Sequence, residues 1–263
     1  MTVDVHPVSW ALAEEHLAQS GGVVVAGGTG VQPWLTATGD QPSTLVHLSP
    51  IAEAWAVEAA ADHLQIGALV PVGHPALTPW FGAEGAIWFA TPAVRRRATV
   101  VGNVVSRIGP RELGPILLTV HARLSVRARG RTTEWLSVEE VLGAGLPANS
   151  LATTIELRRP DRISYHRVSP RAQVSRVQVG VCAALGEGCG AAVVVGQGAV
   201  PHSIDGVGAM LSSGKGRGDF VAAVRDRLVD APPVTLADDA TLAAVAALAE
   251  RVHRDLHRVG RGR

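Results

Sequence analysis

Val23-Val24-Val25-Ala26 runs directly into Gly27-Gly28-Thr29-Gly30, and a second glycine-bearing turn lies at Val94-Arg95-Arg96-Arg97-Ala98-Thr99-Val100-Val101-Gly102-Asn103. A buried strand that ends in a run without Cβ atoms lets main chain approach a ligand closely and aim several N–H donors at one anion. A small hydroxyl residue such as Thr29 suits the same task. Two such loops, each attached to an apolar run, can converge on one phosphate-rich cofactor. The chemistry then belongs to the cofactor, and the protein positions it.

With 263 residues, 47% of them hydrophobic and 18% charged, the chain can bury a substantial core and form two domains or subdomains. No apolar run reaches the roughly 20 residues that span a bilayer. Met1 to Pro7 shows no basic region followed by an apolar one, so a cytoplasmic protein is expected. A net charge of +1 argues against a broad nucleic-acid-binding face. Lys215 is the only lysine, so arginine carries nearly all positive charge and arginine runs are discounted as signals. Cys182 and Cys189 are spaced for neither a zinc knuckle nor an iron–sulfur cluster, and read as small half-buried residues near a sheet.

Along the chain, Ser9 to Gln19 predicts a short helix capped by Ser9 and stopped by Gly21-Gly22. Strands are expected at Val23–Ala26, Thr44–Leu48, Leu64–Ile66, Val120–Arg127 and Ser150–Leu157, with Gly130 turning the fourth back into Arg131–Trp135 as a hairpin. Pro75–Gly82 and Gly85–Ala93 read as short helical or irregular pieces. Three strands follow, at Ile163–Val168, Val174–Leu185 and Ala191–Val200, and then helices at Gly206–Leu211, Asp219–Leu228 and Asp238–Val259. In the last, Leu242, Val245, Ala249, Val252, Leu256 and Val259 form one apolar stripe that should pack on the second sheet.

Other glycine and histidine patterns fail on context. Gly186-Glu187-Gly188-Cys189-Gly190 leads into the β-like run Ala191–Val195 instead of opening a helix, so it reads as a hairpin turn and not as a Rossmann fingerprint. Five residues separate Gly208 from Gly214 where a Walker loop needs four, and Gly216 stands in place of its Ser or Thr. His253 and His257 lie one helical turn apart, but no third ligand accompanies them and the surrounding charges read as a solvated face. No nucleophile elbow occurs, and neither cysteine has a partner base.

The two loops resemble those of the FAD-binding medium subunit of molybdenum hydroxylases, the carbon monoxide dehydrogenase and xanthine dehydrogenase group. That family's first loop reads A-G-G-T followed by a hydrophobic residue one position on, matched by Ala26-Gly27-Gly28-Thr29-Gly30-Val31; its second reads I-R-N-x-A-T-I-G-G-N, followed in order by Val94 to Asn103. Ile66-Gly67-Ala68 matches an intervening I-G-A, Leu113 to Ala122 resembles a D-L-x-P-x-L-L-A-L-x-A segment, and Ser164-Tyr165-His166-Arg167 resembles the Y-x-K/R that opens the C-terminal domain.

The resemblance implies an α+β fold: a PCMH-type, vanillyl-alcohol-oxidase-like FAD-binding domain of two subdomains over residues 1–158. A C-terminal domain with a three-stranded sheet and helices follows over 159–263. It implies FAD as cofactor, a molybdopterin-containing large subunit and a [2Fe–2S] small subunit as partners, and NAD, a quinone or oxygen as terminal electron acceptor. Gly27, Gly28, Thr29, Gly30 and Val31, after Ala26 and helped by Gln32, would present donors to the pyrophosphate. Thr99, Gly102, Asn103 and Ser106 would form a second wall, Phe89 and Ala90 would border the ring or adenine pocket, and Glu112 would accept from a cofactor hydroxyl. Tyr165 and Arg167 would approach the flavin, where an arginine favours the anionic reduced ring. None is implied as a general acid or base, so no catalytic residue is assigned.

Three positions depart from the family pattern. Val101 replaces a glycine, which is costly if the backbone there needs a positive φ; Arg96 replaces asparagine; and Arg107-Ile108-Gly109-Pro110-Arg111 replaces a segment of small residues. These departures keep two alternatives open: a stand-alone member of the same fold acting directly on a small organic molecule with altered or lost flavin binding, and a flavin-free scaffold for partner subunits.

Overall fold

The computed structural model of the protein describes residues 2–81, 90–106, 111–169, 178–195, 200–204, 206–213, 216–230 and 239–258. The chain opens with β1 (Val3–Val5), α1 (Trp10–Ser20), β2 (Val23–Val25), α2 (Val31–Thr38) and β3 (Thr44–His47). Ser9 caps α1 by accepting from the Leu12 amide at 3.4 Å, and Gly21 ends it at φ 60°, as its sequence predicts. The three strands form a parallel sheet in the order β1-β3-β2. The turn after β2 is therefore the loop at the C-terminal end of a parallel strand, where α/β crossovers place ligand sites.

A second, antiparallel sheet has the order β4-β5-β8-β6-β7, from β4 (Val57–Ala59), β5 (His63–Gly67), β6 (Arg123–Ala128), β7 (Glu134–Ser137) and β8 (Ser150–Arg158). Inserted into it are three short helices, α3 (Pro92–Arg95), α4 (Val100–Val105) and α5 (Gly114–Thr119), and then α6 (Val138–Ala144). A reciprocal capping box starts α6: Ser137 accepts from the Glu140 amide, and the Glu140 carboxylate accepts from the Ser137 amide at 2.7 Å. Both sheets share one core, in which Val46, Leu64, Ile66, Val104, Leu117, Leu124 and Ile155 are buried together.

The third sheet is antiparallel, in the order β12-β11-β10-β9, from β9 (Arg162–Val168), β10 (Val179–Leu185), β11 (Ala191–Val195) and β12 (His202–Ile204). The three expected strands are present, and β12 adds a short fourth at the edge beyond β11. Its faces divide between two cores. Val179, Val181 and Ala183 pack with α7 (Val207–Ser212), α8 (Arg217–Asp230) and α9 (Asp239–Leu256), whereas Cys182 and Ala192 join the N-terminal core. Burial on both faces explains why Val179–Leu185 is uninterrupted apolar sequence. The α9 stripe holds as read, with Val245, Ala249, Val252 and Leu256 buried and Leu248 added to it. Val259 lies outside the described residues, as do 174–177, 196–199 and Gly214 with Lys215 of the loop set aside above.

The strand expected over Val120–Arg127 begins only at Arg123. Leu113, Ile116, Leu117 and Val120 recur at three- and four-residue steps, and all are buried because α5 occupies Gly114–Thr119. Val120 ends that helix, and His121 at φ 47° turns the chain into β6. The hairpin turns at Gly130 (φ 72°), but its return strand starts at Glu134. Among the described residues no helix is long and apolar enough to cross a membrane.

Both cysteines are buried, Cys182 within β10 and Cys189 at the turn into β11. Burial pushes the Cys182 thiol up to about 12, against a smaller opposing hydrogen bond with Thr119, and pushes Cys189 upward too. Both shifts favour the neutral thiol over the thiolate. The native chain at pH 8 is expected to resist a thiol reagent that labels both residues at once in denaturant; rapid labelling of Cys182 in the native chain would contradict this packing.

Candidate functional site

The glycine turn leaves β2 at Val25 and enters α2 at Val31, and its residues are half-buried at the protein surface. Gly28 sits at φ 73°, where a side chain is strained. Within the described residues, the N–H groups of Gly27, Gly28, Thr29, Gly30 and Val31 donate to no acceptor; hydrogen bonding resumes at Gln32, which donates to the Gly28 carbonyl at 3.2 Å. Unpartnered donors clustered in one accessible turn are the arrangement that holds an anion.

The second turn meets the first directly. A Cβ on Gly27 would run into the Arg97 carbonyl oxygen, and one on Gly30 would lie 2.7 Å from Ser106 Oγ. Arg97 Nε in turn donates to the Gly27 carbonyl at 3.3 Å. The approach is braced from behind: Val72 donates to the Ala98 carbonyl at 2.8 Å, Val100 to Val70 at 3.2 Å, and Pro71 bridges to Thr99. Thr99 caps α4 by accepting from the Gly102 amide at 2.9 Å, and a Cβ on Gly102 would stand 2.6 Å from that hydroxyl oxygen. The Gly102 amide is thus committed to the Thr99 hydroxyl oxygen, and the two shape this wall together.

From Ser106 a line of polar contacts runs to the C-terminal sheet. Arg111 donates to the Ser106 carbonyl at 3.2 Å and to the Leu142 carbonyl at 2.6 Å, and its burial disfavours the charged guanidinium. Asn103 Oδ1 accepts from the Leu113 amide at 3.1 Å, which fixes the residue next to Glu112. Glu112 accepts from Arg167 Nη1 of β9 at 2.6 Å, and with side-chain exposures of 7% and 11% this ion pair is nearly dry. Tyr165, two residues away on β9, keeps its hydroxyl buried with no hydrogen-bond partner among the described residues. Burial, and then the negative charge of Glu112, raise that hydroxyl far above its usual range.

Ala26 to Val31, Thr99, Gly102 and Ser106 are thereby gathered at one junction, and Glu112, Tyr165 and Arg167 at a second, with Asn103 and Arg111 between them. Gln32 is exposed on the first turn of α2. Ala90 stands apart at φ 49°, its carbonyl held by Arg95 Nη1 at 2.6 Å. Phe89 lies outside the described residues, as do Arg107, Ile108, Gly109 and Pro110. Val101 does not need a positive φ: it is a helical residue of α4, buried in the core, so its branched side chain costs the backbone nothing. Arg96 is exposed, with ordinary helical angles. The sequence reading did not single out Arg97 as a member of the site, and it named Arg111 only within the departing Arg107–Arg111 segment; the only signal for Arg97 was proximity to Thr99, hidden among the many arginines. An open depression of about 520 Å³, lined by Asp161, Leu185, Gly186, Glu187, Leu211, Ser212 and His257, includes none of these residues.

The model of the FAD binding domain in molybdopterin dehydrogenase matches residues 5–157, more than half of the chain. No curated protein matches at a significant level. Among solved structures the chain is similar to one in reconstituted CO dehydrogenase from Oligotropha carboxidovorans (16% identity, 98% of this chain and 99% of that one, TM-score 0.81). It is similar also to one in a CO dehydrogenase from Hydrogenophaga pseudoflava that lacks the Mo-pyranopterin moiety (17%, 97% and 96%, 0.79). A third is in quinoline 2-oxidoreductase from Pseudomonas putida 86 (18%, 96% and 95%, 0.77). Those likenesses establish the fold over nearly the whole length. A turn of unpartnered amides wedged against a second glycine loop, on this fold and under this family model, identifies the chain as a member of the molybdopterin-dehydrogenase FAD-binding family, whose cofactor is FAD.

Proposed function

We propose that this chain is the FAD-binding subunit of a molybdenum-hydroxylase-type oxidoreductase complex. A molybdopterin-containing large subunit oxidises the substrate, a [2Fe–2S] small subunit relays the electrons, and this subunit passes them to NAD, a quinone or oxygen. The observation that carries this reading is the junction of the two loops, where a half-exposed turn holds five amide donors without partners among the described residues, packed main chain to main chain against the second loop. FAD, when bound, supplies the two-electron chemistry.

The protein's own residues position and insulate. Gly27, Gly28, Thr29, Gly30 and Val31 would donate main-chain hydrogen bonds to the diphosphate, with Ala26 and Gln32 flanking that turn. Thr99, Gly102, Asn103 and Ser106 would form the opposite wall, and Ala90 with Phe89 would border the ring or adenine pocket. Arg167 would stand beside the flavin as a fixed positive charge that favours the anionic reduced ring, and Glu112 holds Arg167 in place while supplying an acceptor. Tyr165 keeps a buried polar atom on the same side. We place the boundary between the FAD-binding domain, 1–158, and the C-terminal domain, 159–263, where β8 ends and β9 begins.

An absorbance spectrum of the purified chain, before and after incubation with FAD and removal of unbound cofactor, tests the reading: a retained flavin band supports it and a colourless chain refutes it. Co-purification with a molybdopterin subunit and a two-cluster iron–sulfur subunit is the expected sign of complex membership. Replacing Gly27→Ala forces the two loops apart and is expected to weaken FAD binding by at least about tenfold, since overpacking costs on the order of 1–3 kcal/mol. Replacing Arg167→Ala removes the guanidinium that pairs with the buried Glu112 carboxylate and should lower unfolding stability by about 3–5 kcal/mol. The double replacement with Glu112→Ala should cost less than the sum of the singles. Additive losses in urea melts would show that the pair is not coupled.

A further inference from the structure

Resting on the FAD-binding reading above, we infer that Arg97 is a diphosphate-binding side chain, a charged clamp laid over the first glycine turn from the second. Its main chain is what excludes a Cβ from Gly27, so its Cα cannot retreat from that turn while the loops remain joined. Its side chain is turned toward the same turn: Nε donates to the Gly27 carbonyl, and Nη2 lies 3.9 Å from where a Cβ of Gly28 would stand. The guanidinium is thus anchored at one nitrogen and spread across the two glycines whose amides lack partners.

Three further observations give this placement chemical meaning. Arg97 is exposed, and among the described residues no carboxylate lies within ion-pair distance of it, although Arg123, Arg127 and Arg167 all have one. Its neighbours in the run are otherwise arranged: Arg95 holds the Ala90 carbonyl, and Arg96 ends α3. Lastly, Nε is the nitrogen committed to protein, which leaves the two terminal nitrogens as a fork whose geometry matches phosphate oxygens. Main-chain amides orient a diphosphate but carry no net charge. Arg97 supplies a full positive charge at the same place, so the site would discriminate for an anionic ligand by electrostatics as well as by shape.

The test is calorimetric titration of the full-length apo chain with FAD at low and high salt, for the wild type, Arg97→Lys and Arg97→Ala. The expected result is a wild-type affinity that falls with salt, a loss of about ten- to hundredfold in Arg97→Ala at low salt, and a flatter salt response in that variant, because a charge-assisted contact has been removed. Arg97→Lys keeps the charge without the Nε anchor and should recover part of the affinity together with the salt dependence. Unchanged binding by Arg97→Ala overturns the inference, as do equal losses in both variants with an unaltered salt response, which mark a merely structural brace. A wild-type chain that takes up no FAD overturns the underlying FAD reading and this assignment with it, so the two failures are told apart by the wild-type titration.

Discussion

The site depends on one close approach, Gly27 against the Arg97 carbonyl. No side chain fits between them, so the turn after β2 and the loop before α4 meet main chain to main chain. Because Gly27 then accepts from Arg97 Nε, the contact is held by a hydrogen bond as well as by shape. Val70–Gly73 pairs behind the second loop and keeps it from relaxing away. Amide donors that would cost free energy if buried without partners can stay unpaired here because the turn remains half-exposed. A close-packed scaffold thus delivers unsatisfied groups to one accessible place, which suits a cofactor-binding surface.

A second constraint joins the N-terminal sheets to the C-terminal one. α5 is apolar nearly all round because its residues from Gly114 to Thr119 are buried. Gly190 donates to the Thr119 carbonyl at 2.9 Å, and a Cβ on Gly114 would lie 2.6 Å from Pro201 Cγ, so β11 and the approach to β12 rest closely on this helix. The Glu112–Arg167 pair lies at the start of the same contact. A buried ion pair adds little net stability compared with an apolar substitute, but its geometry ties β9 to the loop before α5 in one register. The orphaned Tyr165 hydroxyl beside it is the sort of unmet polar group that native proteins seldom tolerate outside a functional surface.

Much of the local architecture was legible because it is written in adjacent residues. Ser9 and Gly21 delimit α1 through contacts no more than four residues away, and the stripe on α9 needs only helical spacing. The order of the two glycine turns and the hairpin at Gly186–Gly188 were equally local matters, whereas the cysteines, read as half-buried, are buried by packing from distant segments. α5 was misjudged for an instructive reason: from Val120 onward an alternating pattern overlaps a helical one, and a residue that ends a helix can be read as starting a strand. β12 escaped notice because three residues carry too little periodicity, and only pairing with β11 makes them a strand.

What the sequence determined by itself was the conformational permission: glycines at 27, 28, 30 and 102, a hydroxyl at 99, and apolar runs leading in and out of each loop. Only the tertiary structure decided which partners those permissions serve. Arg97 reaches Gly27 across 70 positions and Arg167 reaches Glu112 across 55, distances over which no local pattern carries information. Val101 shows the division most plainly. Its branched side chain looked like an obstacle while its backbone angles were unknown, and it became an ordinary core residue once α4 was seen to continue through it. Side-chain identity states what a backbone can adopt, whereas packing of distant segments selects what it does adopt.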